Sequence, residues 1–247
     1  QAIENYFLTC EGQFCLESDS VALLKVVLEN FPDRDPNRLI CKGEGLLHLA
    51  ASHDCVEILK FLLLLDNIDP NLKSSTGWNA LHCAFSSGSF RAGKILLEDK
   101  RINPNEICEL GTIVHILIQL EMELFETSEI ILSNFQYVLE DPRIDPCIPH
   151  PGTATEPLFM ASANGLVAFV ELLLAHEKVD PSKTGTVEGI NVLQVATMEE
   201  HFEITEILLD DNRIDPSIPV PGGGQILHGA CESGNVSVVA KLLADPR

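Results

Sequence analysis

The chain alternates short apolar segments of helical spacing with polar stretches that carry glycine or proline. Val56, Leu59 and Leu62 illustrate the spacing, because residues three or four positions apart lie on one face of an α-helix. Each segment divides into a short helix, a turn and a longer leucine-rich helix, and a polar, glycine-bearing stretch then leads to the next short helix. Glycine and proline favour turns, so this stretch is predicted to form a protruding hairpin-like loop, called the finger below.

An internal repeat underlies this pattern. An Asp or Asn followed by Pro comes just after each longer helix, and the successive prolines lie 34, 34, 42, 35 and 35 residues apart. The six dipeptides are Asp35-Pro36, Asp69-Pro70, Asn103-Pro104, Asp145-Pro146, Asp180-Pro181 and Asp215-Pro216. This period predicts a stack in which each unit buries its apolar face only against its neighbours.

A second landmark opens each shorter helix. Histidine occupies it in four units, and Phe or Gln in two: His48, His82, His115, Phe159, Gln194 and His228. The next proline follows this landmark position by 22 residues in four of the units. The turn between the helices carries a glycine in three units and an acidic residue in the other three: Asp54, Gly88, Glu121, Gly165, Glu200 and Gly234.

These features resemble the ankyrin repeat, whose signature joins a T-P-L-H-x-A segment, a turn glycine and a leucine-rich second helix. The resemblance covers nearly the whole chain and implies an all-α fold, an ankyrin-repeat solenoid of stacked helix-turn-helix units with hairpin finger loops. The tetratricopeptide repeat has a similar period and is the structural alternative. It relies on an aromatic and Gly/Tyr pattern and needs no finger, whereas this chain has one Trp and two Tyr.

We predict one domain over residues 1–247 with about seven units, the first of them degenerate and centred near Phe14 to Leu28. The approximate bounds are 1–37, 38–71, 72–105, 106–147, 148–182, 183–217 and 218–247. One unit is longer than the others, because 31 residues separate His115 from Pro146. We assign the additional nine residues to an insertion at 121–129, in the turn between the two helices of that unit.

The recurring histidines invite a metal-site interpretation, which their spacing contradicts. Spacings of 33 or 34 residues place one in each unit, at the pitch of the stack, so they cannot converge on one ion. In the ankyrin family this imidazole bridges backbone groups of its own and adjoining repeats. The chain also lacks G-x-S-x-G, G-x-G-x-x-G, G-x-x-x-x-G-K-[ST] and H-E-x-x-H. We therefore predict no catalytic residue, no metal and no cofactor.

Composition limits the partners. The formal charge is −21, from 37 acidic and 16 basic residues, and this disfavours nucleic acid and anionic membranes. The longest apolar run is far too short to span a bilayer. Eight cysteines without C-x-x-C pairs are interpreted as reduced, buried thiols of an intracellular, cytoplasmic protein. The acidic excess either steers basic partners to the chain or only keeps it soluble.

The resemblance implies a partner-binding surface on the fingers and the exposed side of the first helices. Mapping it onto this chain selects the two residues before each turn position and the residue before each first-helix segment. The candidates are Ser52, His53, Trp78, Ser86, Ser87, Gln119, Leu120, Asn164, Ile190, Met198, Glu199 and Glu232. Their chemistry varies while the landmarks repeat, as expected of a surface specialised for one partner, although neutral drift gives the same picture.

Two features carry open alternatives. Trp78, the single tryptophan, is either an exposed anchor for a partner or packs on a neighbouring finger. The insertion adds Met122, Leu124 and Phe125 beside four glutamates, and it either presents an acidic, apolar edge to a partner or contacts nothing.

We therefore expect a monomeric, non-catalytic protein-protein interaction module that binds a protein or peptide, favouring a basic one. The alternative is a substrate-targeting or regulatory domain of a larger enzyme whose catalytic part lies outside this chain. A catalytic array is a third possibility, for which the sequence offers no convergent acid, base and nucleophile.

Overall fold

The fold is seen in a computed structural model and consists of helix pairs joined by loops. The structure describes residues 21–22, 24–25, 35–37, 43–123, 128–182, 189–221 and 224–246. The chain divides into two compact units, Gln1–Ile116 and Leu117–Arg247. Most of the predicted degenerate first repeat lies outside the described residues.

In unit 1 two complete helix pairs are described. The first pair comprises α1 (Leu46–Ser52) and α2 (Val56–Leu63), and the second comprises α3 (Ala80–Ser86) and α4 (Phe90–Glu98). The first helix of one pair packs on the first helix of the next, α1 on α3, and the second helices α2 and α4 pack likewise. Helix α5 (Ile113–Glu123) starts in this unit and continues into the other.

Unit 2 repeats the arrangement. Its helices are α6 (Glu129–Leu139), α7 (Pro157–Ala163), α8 (Val167–Ala175), α9 (Val192–Met198), α10 (Phe202–Asp210), α11 (Ile226–Glu232) and α12 (Val236–Ala244). The first helices α7, α9 and α11 pack side by side, and the second helices α6, α8, α10 and α12 do the same. These contacts confirm the predicted all-α fold of stacked helix-turn-helix pairs.

The core lies between successive pairs. Leu59 and Leu62 of α2 are fully buried, as are Val170 and Leu173 of α8. The four sit at equivalent positions of the leucine-rich second helices, so one apolar stripe per repeat supplies the interior. Truncating such a side chain to Ala typically costs about 2–5 kcal/mol, because the surrounding helices cannot close the cavity.

The fingers are tight loops held by backbone hydrogen bonds. In unit 1 the Ser74 amide donates to the Trp78 carbonyl at 2.7 Å, and the Ser75 amide donates to Gly43 at 3.0 Å in the preceding finger. In unit 2 the Val220 amide donates to Gly224 at 2.8 Å. Isolated bridges join Cys108 to Gly111 and Val220 to Gly224, and no longer strand occurs in the described part of the chain.

The prediction that all cysteines are buried is wrong for Cys231. Cys55, Cys83 and Cys108 are buried and Cys147 is half-buried, but Cys231 of α11 is exposed. The equivalent residues Ser162 of α7 and Thr197 of α9 are buried. Helix α9 packs on α7 and α11 packs on α9, whereas no further first helix packs on α11 among the described helices.

Candidate functional site

The Asp-Pro and Asn-Pro landmarks fix the start of every finger. In each of them a side-chain oxygen accepts the backbone N–H two residues further on, which closes a turn around the proline. The six bonds measure 2.8–3.1 Å, and their donors are Asn37, Asn71, Asn105, Cys147, Ser182 and Ser217. The acceptor must be Asp or Asn because the bond needs a short polar side chain, which explains why this position repeats.

An asparagine just after the proline ties neighbouring repeats together in unit 1. The Asn71 amide group donates to the Arg101 carbonyl at 2.7 Å and accepts from the Asn103 N–H at 2.8 Å. Asn37 bonds in the same way to the carbonyl of Asn67 and the N–H of Asp69. Each finger start is therefore held at a defined position against the next repeat.

Three Asp-Arg pairs, called the arginine staples below, follow second helices and were not predicted from the sequence. Asp99, Asp141 and Asp211 each chelate the guanidinium two residues later, with shortest contacts of 2.6 Å. In two cases the arginine also reaches the preceding repeat: Arg101 Nη2 donates to Leu63 O at 2.6 Å, and Arg213 Nη2 donates to Leu174 O at 3.0 Å. The repeated D-x-R-I-[DN]-P string at 99–104, 141–146 and 211–216 is the signal that could have revealed it.

The landmark histidines bridge backbone groups, as the family resemblance implied. His82 Nδ1 accepts the Asn79 N–H at 3.2 Å, and its Nε2–H donates to the Glu106 carbonyl at 2.9 Å. His48 makes the equivalent bonds to Gly45 N–H and Trp78 O. Burial lowers the pKa of both imidazoles, that of His82 to about 4, so both are neutral at physiological pH. Their role in unit 1 is structural.

Gln194 replaces histidine without loss of either bond. Its Oε1 accepts the Asn191 N–H at 3.0 Å, and its Nε2 donates to the Ile218 carbonyl at 3.0 Å in the next finger. An amide offers an acceptor and a donor as a neutral imidazole does. The substitution at this position is therefore chemically conservative.

The turn between the helices requires a left-handed backbone. Gly88, Gly165 and Gly234 have φ angles of 68° to 74°, and Asp54 and Glu200 adopt the same region at 53° and 60° despite carrying side chains. Asp54 has a compensating contact, because its carboxylate accepts the Ala92 N–H of α4 at 2.8 Å. Glu121, predicted at the equivalent turn, instead lies within α5, which continues to Glu123.

Candidate residues of unit 1 lie at the carboxyl ends of the first helices. His53 and Ser87 cap α1 and α3 and are exposed, while Ser52 and Ser86 are half-buried. Because α1 and α3 pack side by side, these ends belong to one edge of the unit. The Ser52 carbonyl accepts from Ser89 Oγ of the next repeat at 2.9 Å, which positions the two turns relative to each other.

Trp78 lies at the base of its finger and is half-buried. Its ring meets the His82 ring edge to face at 6.3 Å, and its backbone N–H donates to Ser74 Oγ at 3.1 Å. The indole Nε1 is buried and finds no acceptor in the described part of the chain. The ring thus contacts the first helix α3 while the residue as a whole stays half-buried, so both interpretations of Trp78 remain predictions.

In unit 2 the candidates are more exposed and more acidic. Asn164, Glu199 and Glu232 are exposed at the ends of α7, α9 and α11, and 54% of Met198 is accessible. Ile190 is half-buried before α9. The three first helices pack in sequence, so their ends form one edge of this unit.

The long repeat extends its first helix. Helix α5 has 11 residues where the other first helices have seven, and its last residues include the half-exposed Gln119 and Leu120 and the exposed Met122. Leu124 and Phe125 lie outside the described residues. Glu121 is buried, and its carboxylate accepts the Ser128 N–H at 3.1 Å just before α6. Burial raises the pKa of this carboxyl group.

Little in the described residues of these units has the chemistry of an active site. Burial raises the pKa of the Cys83 thiol to about 12, so this cysteine is a protonated packing residue. Over the described ranges no group of three His, Cys, Asp or Glu side chains could hold a metal ion, and no helix is long and apolar enough to cross a membrane. What the geometry offers is a rigid scaffold that presents variable residues along an edge.

Comparison with known proteins agrees with this architecture. A family model described as ankyrin repeats (3 copies) matches residues 13–108 and 158–247. The crystal structure of the ankyrin repeat domain of Bcl-3, described as a unique member of the IkappaB protein family, is similar with a TM-score of 0.78. The match has 18% sequence identity over 94% of this chain and 96% of that chain, and at this identity it shows the fold alone. A search of curated proteins found no match.

Ankyrin repeats generally serve as protein-protein interaction modules and are typically non-catalytic. The chain belongs to the ankyrin repeat family.

Proposed function

We propose that this chain is a non-catalytic module that binds a protein or peptide through its fingers and the exposed ends of its first helices. One observation carries the proposal: near the start of the first helices the landmark side chains His48, His82 and Gln194 are buried and hydrogen-bonded, whereas the candidate positions at the ends of these helices are half-buried or exposed. Ser87 and Met198 are examples of the exposed positions. A repeated scaffold that carries varied, accessible side chains is the arrangement of a recognition surface.

The scaffold suits binding because it is held in place before a partner arrives. The described finger starts are each closed by an Asp or Asn turn, and α1, α3 and α9 are each fixed to a following finger by an imidazole or amide. A surface that is already ordered loses less conformational entropy on association. The module acts as a monomer in the cytoplasm in this proposal, and light scattering of the purified chain tests the monomeric state.

Site-specific photocrosslinking tests the proposed surface. A photoreactive phenylalanine analogue is placed at Ser87 or Asn164, on the first-helix edge, and matched controls carry it at the exposed Glu57 or Glu171 of the second helices. In cell extract the edge positions are expected to give discrete protein adducts and the controls none. Adducts formed equally at all four positions, or at the second helices alone, would contradict the proposed surface.

A further inference from the structure

The three methionines of the chain share one setting. Met122, Met160 and Met198 lie on α5, α7 and α9, the first helices of consecutive repeats, and all three fall in unit 2. Met122 is 43% exposed, Met198 is 54% exposed and Met160 is half-buried. Methionine is an apolar residue that normally fills interiors, yet the described core contains none. We call these three residues the methionine face.

Helical register places these side chains on equivalent sides of their helices. Met160 follows its landmark position by one residue and Met198 by four, and residues three apart neighbour each other on a helix. Met122 follows Gln119, the fourth residue after its landmark, by three. Helices α7 and α9 pack directly, so their methionines belong to one surface. In unit 1 the positions equivalent to Met198 carry the small polar residues Ser52 and Ser86.

The surroundings of the methionine face are acidic. Leu117–Arg247 contains 21 acidic and six basic residues, a formal charge of −15 out of −21 for the chain. Its first helices carry no Lys or Arg within their described bounds. Glu123, Glu199 and Glu232 are exposed at the ends of α5, α9 and α11, and none of the three has an ion-pair partner among the described residues.

The basic residues described in this unit are engaged elsewhere. Arg143 and Arg213 chelate aspartates two residues before them, and Lys178 donates to the carbonyls of Pro142 and Ile144. Lys241 bonds to Asp210 at 2.8 Å. All four lie on the second helices or in the segments that follow them. The four basic residues that the structure describes in this unit therefore do not pair with the glutamates of the first-helix edge.

We propose that the methionine face docks a basic amphipathic helix of a partner protein, an inference that rests on the proposed function. Unbranched thioether side chains adapt to varied apolar anchors, and amphipathic helices are bound in grooves of this chemistry. The glutamates at the rim complement Lys or Arg beside those anchors and speed encounter. Packed helices lie about 10 Å apart and a helix rises about 1.5 Å per residue, so anchors about seven residues apart match successive repeats.

Methionine-methyl NMR tests the proposal directly. The chain is labelled with ¹³C at the three methionine methyl groups and titrated with a synthetic 21-residue helical peptide that has Leu on one face and Lys on the others. One control peptide has the same composition in scrambled order, and another replaces Lys with Glu. We expect the Met160 and Met198 signals to shift with the amphipathic basic peptide and not with either control.

Substitutions identify the residues that contact the peptide. Met198→Ser and Glu199→Gln are each expected to lower the affinity for the peptide about five- to tenfold. Leu64→Ser alters an 81% exposed side chain in unit 1 and should leave this affinity unchanged. Equal binding of the scrambled peptide, or affinity indifferent to Met198→Ser, overturns the proposal. If the photocrosslinks at Ser87 or Asn164 form while the peptide fails, the interaction function stands and this partner class is wrong. If both fail, the proposed function falls too.

Discussion

The Nε2–H of His82 donates to the backbone carbonyl of Glu106 at 2.9 Å, and this single imidazole joins the first helix of one repeat to the finger of the next. The same ring accepts the Asn79 N–H at its other nitrogen. One neutral side chain therefore satisfies a buried N–H and a part-buried carbonyl that are 27 residues apart in the chain. The presence of Gln194 at the equivalent position in unit 2 shows which property of histidine matters here.

Replacing His82 should separate hydrogen bonding from shape. His82→Ala leaves a buried N–H and a part-buried carbonyl without the imidazole and is expected to cost about 3 kcal/mol of unfolding free energy. His82→Gln can restore both bonds and should cost less than half as much. Urea denaturation measures both, with the exposed His53→Ala as a control expected to stay within about 0.5 kcal/mol. Equal losses for Ala and Gln would refute the bridging role.

Stability should fall in mild acid because of the buried histidines. The folded state holds the pKa of His82 at about 4, below its ordinary value of 6.5. As the pH falls, the unfolded chain therefore binds the proton before the folded protein does. The contribution of His82 to the unfolding free energy is complete above pH 6.5 and is lost as the pH falls towards 4, by about 1.4 kcal/mol per pH unit. His48 contributes in the same direction.

The difference in unfolding free energy between the wild type and His82→Gln separates the effect of His82 from that of the titrating carboxylates, which both proteins share. Denaturation at pH 7.5, 6 and 5 should show a gap between the two proteins that narrows as the pH falls. A gap that stays constant over this range would show that His82 titrates normally in the folded protein.

The arginine staple should stabilise unit 2 more than an ordinary surface ion pair. Arg213→Met removes the hydrogen bonds from the guanidinium to the carbonyls of Val179 and Leu174, with an expected cost of about 1–2 kcal/mol. Arg91→Met, which removes a 75% exposed side chain in a 3.6 Å pair with Asp54, should cost less than about 0.5 kcal/mol. Thermal unfolding in low and high salt compares them, and similar losses in both variants would argue against a staple.

Glycine substitutions at two turns, Glu200 in unit 2 and Asp54 in unit 1, should differ in their effect on stability. Glu200→Gly relieves a left-handed residue and is expected to stabilise the chain by about 0.5–1 kcal/mol. Asp54→Gly removes the same strain but also the bond from the Asp54 carboxylate to Ala92 N–H, and should be neutral or destabilising. Calorimetry distinguishes the two, and stabilisation by both would mean that the Asp54 contact contributes little.

A third variant tests the turn geometry from the other side. Gly165→Ala places a Cβ within 2.8 Å of the His201 ring in a backbone region that alanine disfavours, so it should destabilise unit 2 by more than about 1 kcal/mol. Unchanged stability would show that the turn can rearrange.

Much of the fold follows from the sequence because the residues that each repeat requires recur several times along the chain. The Asp-Pro turns join groups two residues apart, and one of the two bonds of each landmark histidine in unit 1 joins groups three residues apart, so this spacing is readable directly. The D-x-R string was equally visible, yet its meaning was not, since Arg213 bonds to a carbonyl 39 residues away. A motif whose partner lies in another repeat can be interpreted only when the packing is known.

The sequence by itself determined the period, the helix pairs and the finger positions, because these depend on local propensities and on apolar spacing. Only the tertiary structure decided how accessible each residue is. It buried the indole nitrogen of Trp78, exposed Cys231, kept Glu121 in a helix and left Met198 in solvent. Accessibility is set by which neighbouring helix covers a position, and that is a property of the stack, which no single repeat contains.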